Sequence, residues 1–391
     1  MVLFDDIREG SNSFVRHDPV FLKQLFGTED VTPFWVADMD FAVAEPITNE
    51  LKRLVDRAVY AYEFDSKSVY RAISDWNSVR HGLDLDPKNF LQVPGVLTGI
   101  ALLIRILTKP GDGVLVQTPV YHQFAKVITT AGREMVANPL RQKDGHYEMD
   151  FEDLEARLQS QSVKMILICN PHNPVGRVWR KEELQQLLEL ANQYDVAVVS
   201  DEIHSDIVYS GNRFSSLLSL GETSIALLGS PAKTFGMQSI ASGYLYIENE
   251  ALKQQVGDMI DSMYLGHGNA LSTFATIAAY RHGADWVDQL LAYLEKTIDW
   301  IEQFLKDELP IVQMSPVEGT YQIWMDFGKT GLSSQALNHF LANKAKIGLA
   351  PGSWFGKEGD SYMRMNIASP LSKIQNAFYQ IKQACQEEGV L

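Results

Sequence analysis

Two side chains with distinct chemistry each follow an apolar, strand-like run of the sequence. Lys233 comes shortly after residues 225–228, and Asp201 comes directly after residues 196–200. A lysine amine can form a Schiff base with an aldehyde, and a carboxylate can keep a pyridine nitrogen protonated. A protonated pyridine ring withdraws electrons from the group that the aldehyde carries. The pair therefore predicts a site for pyridoxal phosphate.

Each of these two residues also has an ordinary structural alternative. Asp201 could cap a following helix, which is worth about 1 kcal/mol, and most lysines keep the ammonium group in water. However, the interval between the two residues matches one further strand with its connections. Neighbours such as Pro231 and Phe235 would partly desolvate the lysine, which lowers its pKa and frees the neutral amine. Taken together, the two residues favour the cofactor site.

The phosphate group of the cofactor needs its own binding site, and the turn at Gly95 is the candidate for it. This glycine opens a predicted helix over 96–108, so backbone N–H groups could face a phosphate at the positive end of the helix. Ser230 could add its hydroxyl group. Most glycine turns are only turns, but the sequence contains no G-x-G-x-x-G or Walker pattern as a rival.

Two further side chains could contact the cofactor ring and the substrate. Tyr121 follows the strand-like residues 114–116 and could stack on a planar pyridine ring, although a core aromatic residue is nearly as consistent with its position. Arg364 lies in the extended run 362–367, whose alternation directs it to the same face as Asn366. It could hold a substrate carboxylate with two hydrogen bonds, or it could form a structural salt bridge.

An Asn-Pro pair and two histidines complete the candidate residues. Asn173 precedes Pro174 and could hydrogen-bond the 3-oxygen of the cofactor, or it could belong to an ordinary turn. His172 and His204 lie in the same two motifs as Asn173 and Asp201. The nine histidines show no metal-ligand spacing, so we expect hydrogen-bonding roles and no metal.

Composition indicates an ordinary globular protein that acts on small molecules. The chain has 391 residues and a net charge of −15, so we expect neither nucleic-acid binding nor binding to an anionic membrane surface. Its only cysteines, Cys169 and Cys385, are far apart and lack metal-ligand spacing. No apolar run approaches the roughly 20 residues that span a bilayer, and residues 1–30 lack the apolar core of a signal peptide. A cytoplasmic location is expected.

From about residue 90 the pattern is that of repeated β–α–β units. Apolar runs without alternation are typical of strands buried on both faces of a mostly parallel sheet. Helices are predicted near 96–108 and 120–131 and over 180–194, and strands over 114–116, 164–169, 196–199 and 225–228. The core of the protein is therefore predicted to be α/β.

The pattern changes after about residue 284 to that of a smaller α+β domain. It predicts a long helix over 284–307, strands over 311–314 and 321–327, a helix near 333–345 and a last helix from 371. We place a large cofactor-binding domain at 46–284 and a small domain at 1–45 together with 285–391. Since no linker separates these parts, we expect a tight interface between them.

Several motifs resemble the fold-type-I pyridoxal-phosphate enzymes of aminotransferase class I/II, and within them the cystathionine β-lyase branch of MalY/PatB type. The similarity extends along most of the chain, and no arginine follows Lys233 until Arg281, which also favours the lyase branch. The motifs are Phe-Trp-Val-Ala-Asp-Met-Asp-Phe at 34–41, Cys-Asn-Pro-His-Asn-Pro-Val-Gly-Arg-Val-Trp at 169–179, Ser-Asp-Glu-Ile-His-Ser-Asp at 200–206, Ser-Pro-Ala-Lys-Thr-Phe at 230–235 and Glu-Gly-Thr-Tyr at 318–321.

This resemblance implies a fold and a role for each candidate residue. The fold would be a mostly parallel sheet flanked by helices, with a smaller α+β domain. Lys233 would carry the cofactor, Asp201 would pair with the pyridine nitrogen and Tyr121 would stack on the ring. The remaining roles would be cofactor binding by Asn173 and His204, phosphate binding by Val96, Leu97, Ser230 and the Tyr62 of a second subunit, and substrate-carboxylate binding by Arg364 and the backbone of Ala37.

The resemblance further implies a homodimer with shared active sites and a carbon–sulfur β-lyase reaction. L-cystathionine or a related S-substituted cysteine would yield a thiol, pyruvate and ammonia. Transamination of a small amino acid needs almost the same residues, and a regulatory protein that retains the cofactor is a third interpretation. Glu63 and Asp65 could bind the distal ammonium group of cystathionine, although a solvated acidic loop is the more ordinary interpretation.

Overall fold

Helices and strands alternate along most of the chain in the computed structural model, which describes residues 4–6, 13–63, 65–143, 145–160, 162–221 and 225–389. The α-helices are α1 (Pro19–Phe26), α2 (Glu45–Asp56), α3 (Ser66–His81), α4 (Val96–Leu107), α5 (His122–Thr130), α6 (Phe151–Gln159), α7 (Lys181–Gln193), α8 (Pro231–Phe235), α9 (Glu250–Ser262), α10 (Ala270–His282), α11 (Ala284–Glu308), α12 (Ser334–Asn343) and α13 (Leu371–Glu387).

The strands group into two main sheets and two short pairs. They are β1 (Thr32–Pro33), β2 (Phe90–Val93), β3 (Gly113–Thr118), β4 (Glu134–Pro139), β5 (Arg141–Lys143), β6 (His146–Glu148), β7 (Val163–Cys169), β8 (Ala197–Asp201), β9 (Ile225–Gly229), β10 (Gly243–Ile247), β11 (Gln313–Met314), β12 (Gln322–Asp326), β13 (Ile347–Gly348), β14 (Ala350–Pro351) and β15 (Tyr362–Asn366).

The central sheet has seven strands in the described residues, in the order β2-β10-β9-β8-β7-β3-β4. Its pairs are parallel from β9 to β4, and only β10 runs against its neighbours. Every residue of β3 and β9 is buried, as expected for strands covered by helices on both faces. The predicted mostly parallel sheet is therefore confirmed, and β10 is an addition to it.

A smaller four-stranded antiparallel sheet, β11-β12-β15-β14, is built from residues after 312. The short strand β1 near the amino end pairs with β13, which joins the first residues to this part of the chain. These two observations support the division that we propose, with residues 46–284 in the large domain and residues 1–45 and 285–391 in the small domain. The predicted long helix is confirmed as α11.

One apolar core joins the two parts. It contains Phe235 and Tyr280 from residues 46–284 and Ile323, Met365 and Phe378 from residues 285–391. This shared core supports the tight interface expected between the two parts. In the described part of the chain, no helix is both long and apolar enough to cross a bilayer.

Candidate active site

The candidate residues come together because parallel strands end at the same edge of the sheet, where open α/β sheets bind ligands. Asp201 is the last residue of β8, and Ser230 follows the last residue of β9. Asn173 comes four residues after β7, and Tyr121 comes three residues after β3. The order of these strands in the sheet, β9-β8-β7-β3, thus places four separate sequence motifs beside one another.

Lys233 lies on the short helix α8 and is partly buried. Its Nζ donates a hydrogen bond to the carbonyl oxygen of Ala37 at 2.5 Å. Burial lowers the pKa of the Lys233 amine to about 8, while the nearby carboxylates of Asp38 and Asp201 act in the opposite direction. A surface position is therefore wrong for this lysine, and a sizeable fraction of its amine is neutral and nucleophilic near neutral pH.

Asp201 is buried at the end of β8. Its carboxylate accepts one hydrogen bond, from the backbone N–H of Ile203 at 3.1 Å, and residues 203–206 form turns. The helix-cap alternative is thus wrong, because no helix of the described residues begins at Asp201. Burial raises the pKa of this carboxyl group to about 7. A nearby cation would stabilise the ionised form of this buried carboxylate.

The start of α4 and Ser230 are held together through β10. Ser230 caps α8 by accepting a hydrogen bond from the N–H of Ala232, and its hydroxyl donates to the carbonyl oxygen of Ser242 at 2.9 Å. The next residue, Gly243, packs so closely on α4 that an added Cβ would lie 2.8 Å from the nitrogen of Val96. An added Cβ on Gly95 would meet no atom within 4 Å. This helix N-terminus is therefore uncovered at Gly95, which leaves it accessible to an anion.

Arg364 is a buried cation without a carboxylate partner in the described structure. Its Nη1 donates to Oδ1 of Asn173 at 3.2 Å and its Nη2 to the carbonyl oxygen of Trp35 at 2.7 Å, while Nε has no hydrogen-bond partner. The guanidinium group lies 4.9 Å from the centre of the Phe355 ring. Burial lowers its pKa to about 10. The structural salt bridge is therefore not observed, and the group can bind a substrate carboxylate.

Tyr121 and His204 lie beside these charged groups. The Tyr121 ring is partly buried and makes edge contacts with the rings of His122 and Phe124. His204 is buried, its Nδ1 has no hydrogen-bond partner, and its ring contacts that of Tyr321. Burial and the charge of Lys233 keep the pKa of His204 far below its usual value, so this imidazole is neutral.

Tyr62 lies apart from the residues described so far. Its side chain is 99% exposed, and its ring stacks on that of His267 at 5.9 Å. Glu63 forms an ion pair with Arg57 at 2.5 Å, and Asp65 caps α3 through the N–H of Ser68. Both acidic side chains thus have local structural roles, which favours the solvated loop over an ammonium-binding site. Within one subunit, no described contact joins Tyr62 to the candidate site.

The sequence analysis assigned no role to three residues that the structure places in or near the site. Tyr321 donates a hydrogen bond to the carbonyl oxygen of Ala37 at 3.2 Å, the same oxygen that Lys233 contacts. His122 lies against the ring of Phe355, and burial lowers its pKa to about 4. Asp206 accepts a hydrogen bond from the hydroxyl group of Thr234, the residue after Lys233. Tyr321 and Asp206 belong to two of the motifs, which was the available signal.

The residues fit pyridoxal phosphate on three structural grounds. Asp201 is a buried carboxylate that feels the charge of Lys233 but forms no ion pair among the described residues, and a protonated pyridine would supply such a partner. The unpaired Nδ1 of His204 and the open N-terminus of α4 offer further polar groups. Lys233 has a partly neutral amine for an aldehyde. The arrangement is that of a site for amino-acid chemistry on an aldehyde cofactor.

The fold and the site are those of an enzyme that depends on pyridoxal phosphate. Comparison with known proteins agrees with this conclusion. The chain belongs to the family of aminotransferase class I and II, whose sequence profile matches residues 44–381. It is 38% identical to cystathionine β-lyase PatB of Bacillus subtilis, over 92% of this chain and 94% of that protein. It is 30% identical to protein MalY of Escherichia coli, over 91% and 92% of the two chains.

Solved structures show the same relationship. Cystalysin from Treponema denticola, which contains pyridoxal 5′-phosphate, superposes with a TM-score of 0.94 at 28% identity, covering 99% of both chains. The pyridoxal-phosphate-bound C–S lyase from Staphylococcus hominis gives a TM-score of 0.91 at 27% identity, covering 98% of this chain and 97% of that one. The resemblance and the fold class inferred from the sequence motifs are thus confirmed.

Proposed function

We propose that this protein is a pyridoxal-phosphate-dependent carbon–sulfur β-lyase. It cleaves L-cystathionine or a related S-substituted cysteine to a thiol, pyruvate and ammonia. The observation that carries this proposal is the combination of Lys233 and Asp201 at the carboxyl edge of the central sheet with the cation of Arg364 on β15. Arg364 contacts Trp35, two residues before the Ala37 that Lys233 contacts. The similarity to a cystathionine β-lyase and to C–S lyases supports the choice of reaction.

The substrate is bound by its carboxylate and held over the lysine. Arg364 binds the carboxylate, and Asn173 and the carbonyl of Trp35 orient the guanidinium group through their hydrogen bonds. The backbone of Ala37 lies beside the same site, because its carbonyl oxygen contacts Lys233. The bound orientation brings the α-proton of the substrate within reach of the neutral lysine amine.

Lys233 acts as the general base that removes the α-proton. When bound, pyridoxal phosphate supplies an electron-withdrawing ring that accepts the electron pair left on the α-carbon. Asp201 would keep a proton on the pyridine nitrogen, His204 and Asn173 would hydrogen-bond polar atoms of the cofactor, and Tyr121 would stack on it. Val96, Leu97 and Ser230 would hold the phosphate group at the start of α4. The bond between the β-carbon and sulfur then breaks: sulfur leaves with the electron pair of that bond and takes a proton, while the electron pair from the α-carbon forms the Cα–Cβ double bond. Once released, the remaining three-carbon enamine is hydrolysed by water to pyruvate and ammonia.

This reaction predicts that pyruvate forms without any keto-acid acceptor. We expect purified protein loaded with cofactor to release pyruvate from L-cystathionine, measured through lactate dehydrogenase by the loss of NADH absorbance. L-homoserine, which lacks the thioether, is the matched control and should give no pyruvate. Turnover that occurs only after an added keto acid would show a transaminase instead.

We further propose a homodimer with shared sites in a cytoplasmic enzyme of methionine biosynthesis. Cleavage of cystathionine yields homocysteine, the thiol that methylation converts to methionine. The exposed aromatic side chains of Tyr60, Tyr62 and Tyr264 support a subunit contact, because clusters of exposed apolar groups mark interaction surfaces. In this arrangement, Tyr62 of each subunit binds the cofactor phosphate of the other.

Shared sites predict that two inactive subunits complement each other. Tyr62→Ala and Lys233→Ala chains, co-expressed with different tags and purified as a mixed dimer, should regain lyase activity. One of the two sites then combines an intact Lys233 with an intact Tyr62. The Tyr379→Ala variant, on α13, controls for the loss of an exposed tyrosine and should be as active as wild type without any partner. A mixed dimer no more active than its parents would contradict the proposal.

A further inference from the structure

Helix α8 carries Lys233 but is too short to maintain its own position. It has five residues, begins at Pro231 and ends at Gly236, whose φ of 70° stops the helix. Isolated helices of this length are unstable because few hydrogen bonds offset the cost of the first turn. The position of Lys233 must therefore be fixed by contacts with other parts of the chain.

One such contact comes from the residue directly after the lysine. The hydroxyl group of Thr234 donates a hydrogen bond to Oδ2 of Asp206 at 2.7 Å. Thr234 and Asp206 are 1% and 5% exposed, so water does not compete for this bond. Such a bond between a buried hydroxyl and a carboxylate is among the stronger hydrogen bonds in proteins.

Asp206 is itself held by the end of α3. Its Oδ1 accepts a hydrogen bond from Nε1 of Trp76 at 2.8 Å and contacts Nε2 of His81 at 2.8 Å. Burial alone would raise the pKa of this carboxyl group, but the hydrogen bonds from His81, Thr234 and Trp76 keep it below its usual value. Asp206 is therefore ionised, and it joins α3 to α8.

The hydrogen bond between Asp206 and Thr234 links the segment that carries Asp201 to the segment that carries Lys233. Asp206 ends the motif that contains Asp201, five residues earlier, and Thr234 is adjacent to Lys233. A shift of α8 would move Nζ of Lys233 away from the carbonyl oxygen of Ala37, which lies 2.5 Å from it. Small misplacements of a reacting group reduce rates strongly.

We propose that Asp206 is a positioning residue, whose hydrogen bond to Thr234 holds α8 and thereby places the Lys233 amine for its reactions with the cofactor aldehyde and the substrate. This inference rests on the proposed function, because it assumes that Lys233 binds pyridoxal phosphate. The partners of Asp206 among the described residues are Trp76, Arg80, His81 and Thr234, so its carboxylate is engaged within the fold and not with the reacting groups. It acts through Thr234.

Two substitutions at Thr234 separate positioning from packing. Thr234→Val keeps the shape of the side chain and removes the hydroxyl group, whereas Thr234→Ser keeps the hydroxyl group. Stopped-flow mixing of cofactor-free protein with pyridoxal phosphate measures the rate at which the visible absorbance of the Schiff base develops. We expect this rate, and kcat in the pyruvate assay, to fall roughly tenfold to a hundredfold in the valine variant and to be near wild type in the serine variant.

A matched threonine elsewhere controls for the general cost of removing a buried hydroxyl group. Thr297 in α11 is fully buried and donates to the carbonyl oxygen of Tyr293 at 3.0 Å. Thr297→Val should lower the melting temperature as Thr234→Val does, but should leave the Schiff-base rate and kcat unchanged. Equal rates in both valine variants would overturn the inference, as would a serine variant as slow as the valine variant.

The same measurements distinguish this inference from the proposed function. If wild-type protein forms the Schiff base but no pyruvate, the lyase assignment fails, and the comparison of valine and serine variants still decides the role of Asp206. If pyruvate forms and the Thr234 variants react like wild type, only the role of Asp206 fails. If wild-type protein forms no Schiff base, both proposals are overturned.

Discussion

Replacing Lys233 with alanine is expected to remove the visible absorbance of the bound cofactor and to lower pyruvate formation by roughly 10³-fold or more. The substitution removes the amine that holds the aldehyde and the base that takes the α-proton. No other lysine of the described residues is placed to contact the carbonyl oxygen of Ala37. The absorbance spectrum and the coupled pyruvate assay measure the two losses separately.

The control for this experiment is a lysine with an ordinary structural role. Lys253 on α9 donates a hydrogen bond to Asn89 at 3.0 Å and pairs with Glu250. Lys253→Ala should change stability slightly and leave the spectrum and the activity as in wild type. A Lys233→Ala protein with full activity would exclude the mechanism proposed above.

The pKa of Lys233 adds a dependence on pH that an exposed lysine would not show. Because the neutral amine is the reactive form, Schiff-base formation should accelerate as pH rises and should level off above about 8, the pKa of this amine in the cofactor-free protein. A solvent-exposed lysine would show the same increase near its ordinary value of 10.5. Stopped-flow rates between pH 6 and pH 10 would locate the inflection.

The sequence was sufficient to predict those parts of the fold that depend on local patterns. The strands β7 and β9 and the helices α4 and α11 follow from apolar runs and periodicity, and the structure confirms them. The antiparallel β10 was not predicted, because strand direction depends on partners distant in sequence. The short helix α8 was missed as well, since five residues show no period.

The residues of the candidate site also fall into two groups: those that a local sequence pattern reveals and those that only the structure reveals. Lys233 and Asp201 could be found because each lies at or shortly after the carboxyl end of a recognisable strand. The contact of Lys233 with Ala37 spans 196 residues, and that of Arg364 with Trp35 spans 329. No local pattern indicates such pairs, so Asp206 and its bond to Thr234 also required the three-dimensional structure. The role of Tyr62 stays a prediction, because it depends on a second subunit.

Replacing Asp201 with asparagine should have opposite effects on activity and on the stability of the cofactor-free protein. Asparagine has the shape of aspartate but cannot balance the charge of a protonated pyridine ring. Removing one partner of a buried ion pair costs about 3–5 kcal/mol, which corresponds to roughly 10²- to 10⁴-fold in rate if it is lost from the transition state. The pyruvate assay of fully loaded protein measures this effect.

Without cofactor, the carboxylate of Asp201 destabilises the folded protein. Its pKa is raised from 3.8 to about 7, so the folded protein keeps the proton to higher pH than the unfolded chain does. Stability from this group is therefore lost as pH rises from about 4 towards 7 and above. Asparagine, which stays neutral, avoids this loss.

Cofactor-free Asp201→Asn protein should thus be more stable than cofactor-free wild type at pH 8, by up to roughly 4 kcal/mol, and the difference should shrink at pH 5. Urea denaturation of both proteins at the two pH values measures it. Added pyridoxal phosphate should reduce or reverse the difference, because only the wild-type carboxylate gains a cationic partner. An asparagine variant that is less stable at pH 8 without cofactor would show that Asp201 has another cationic partner in the fold.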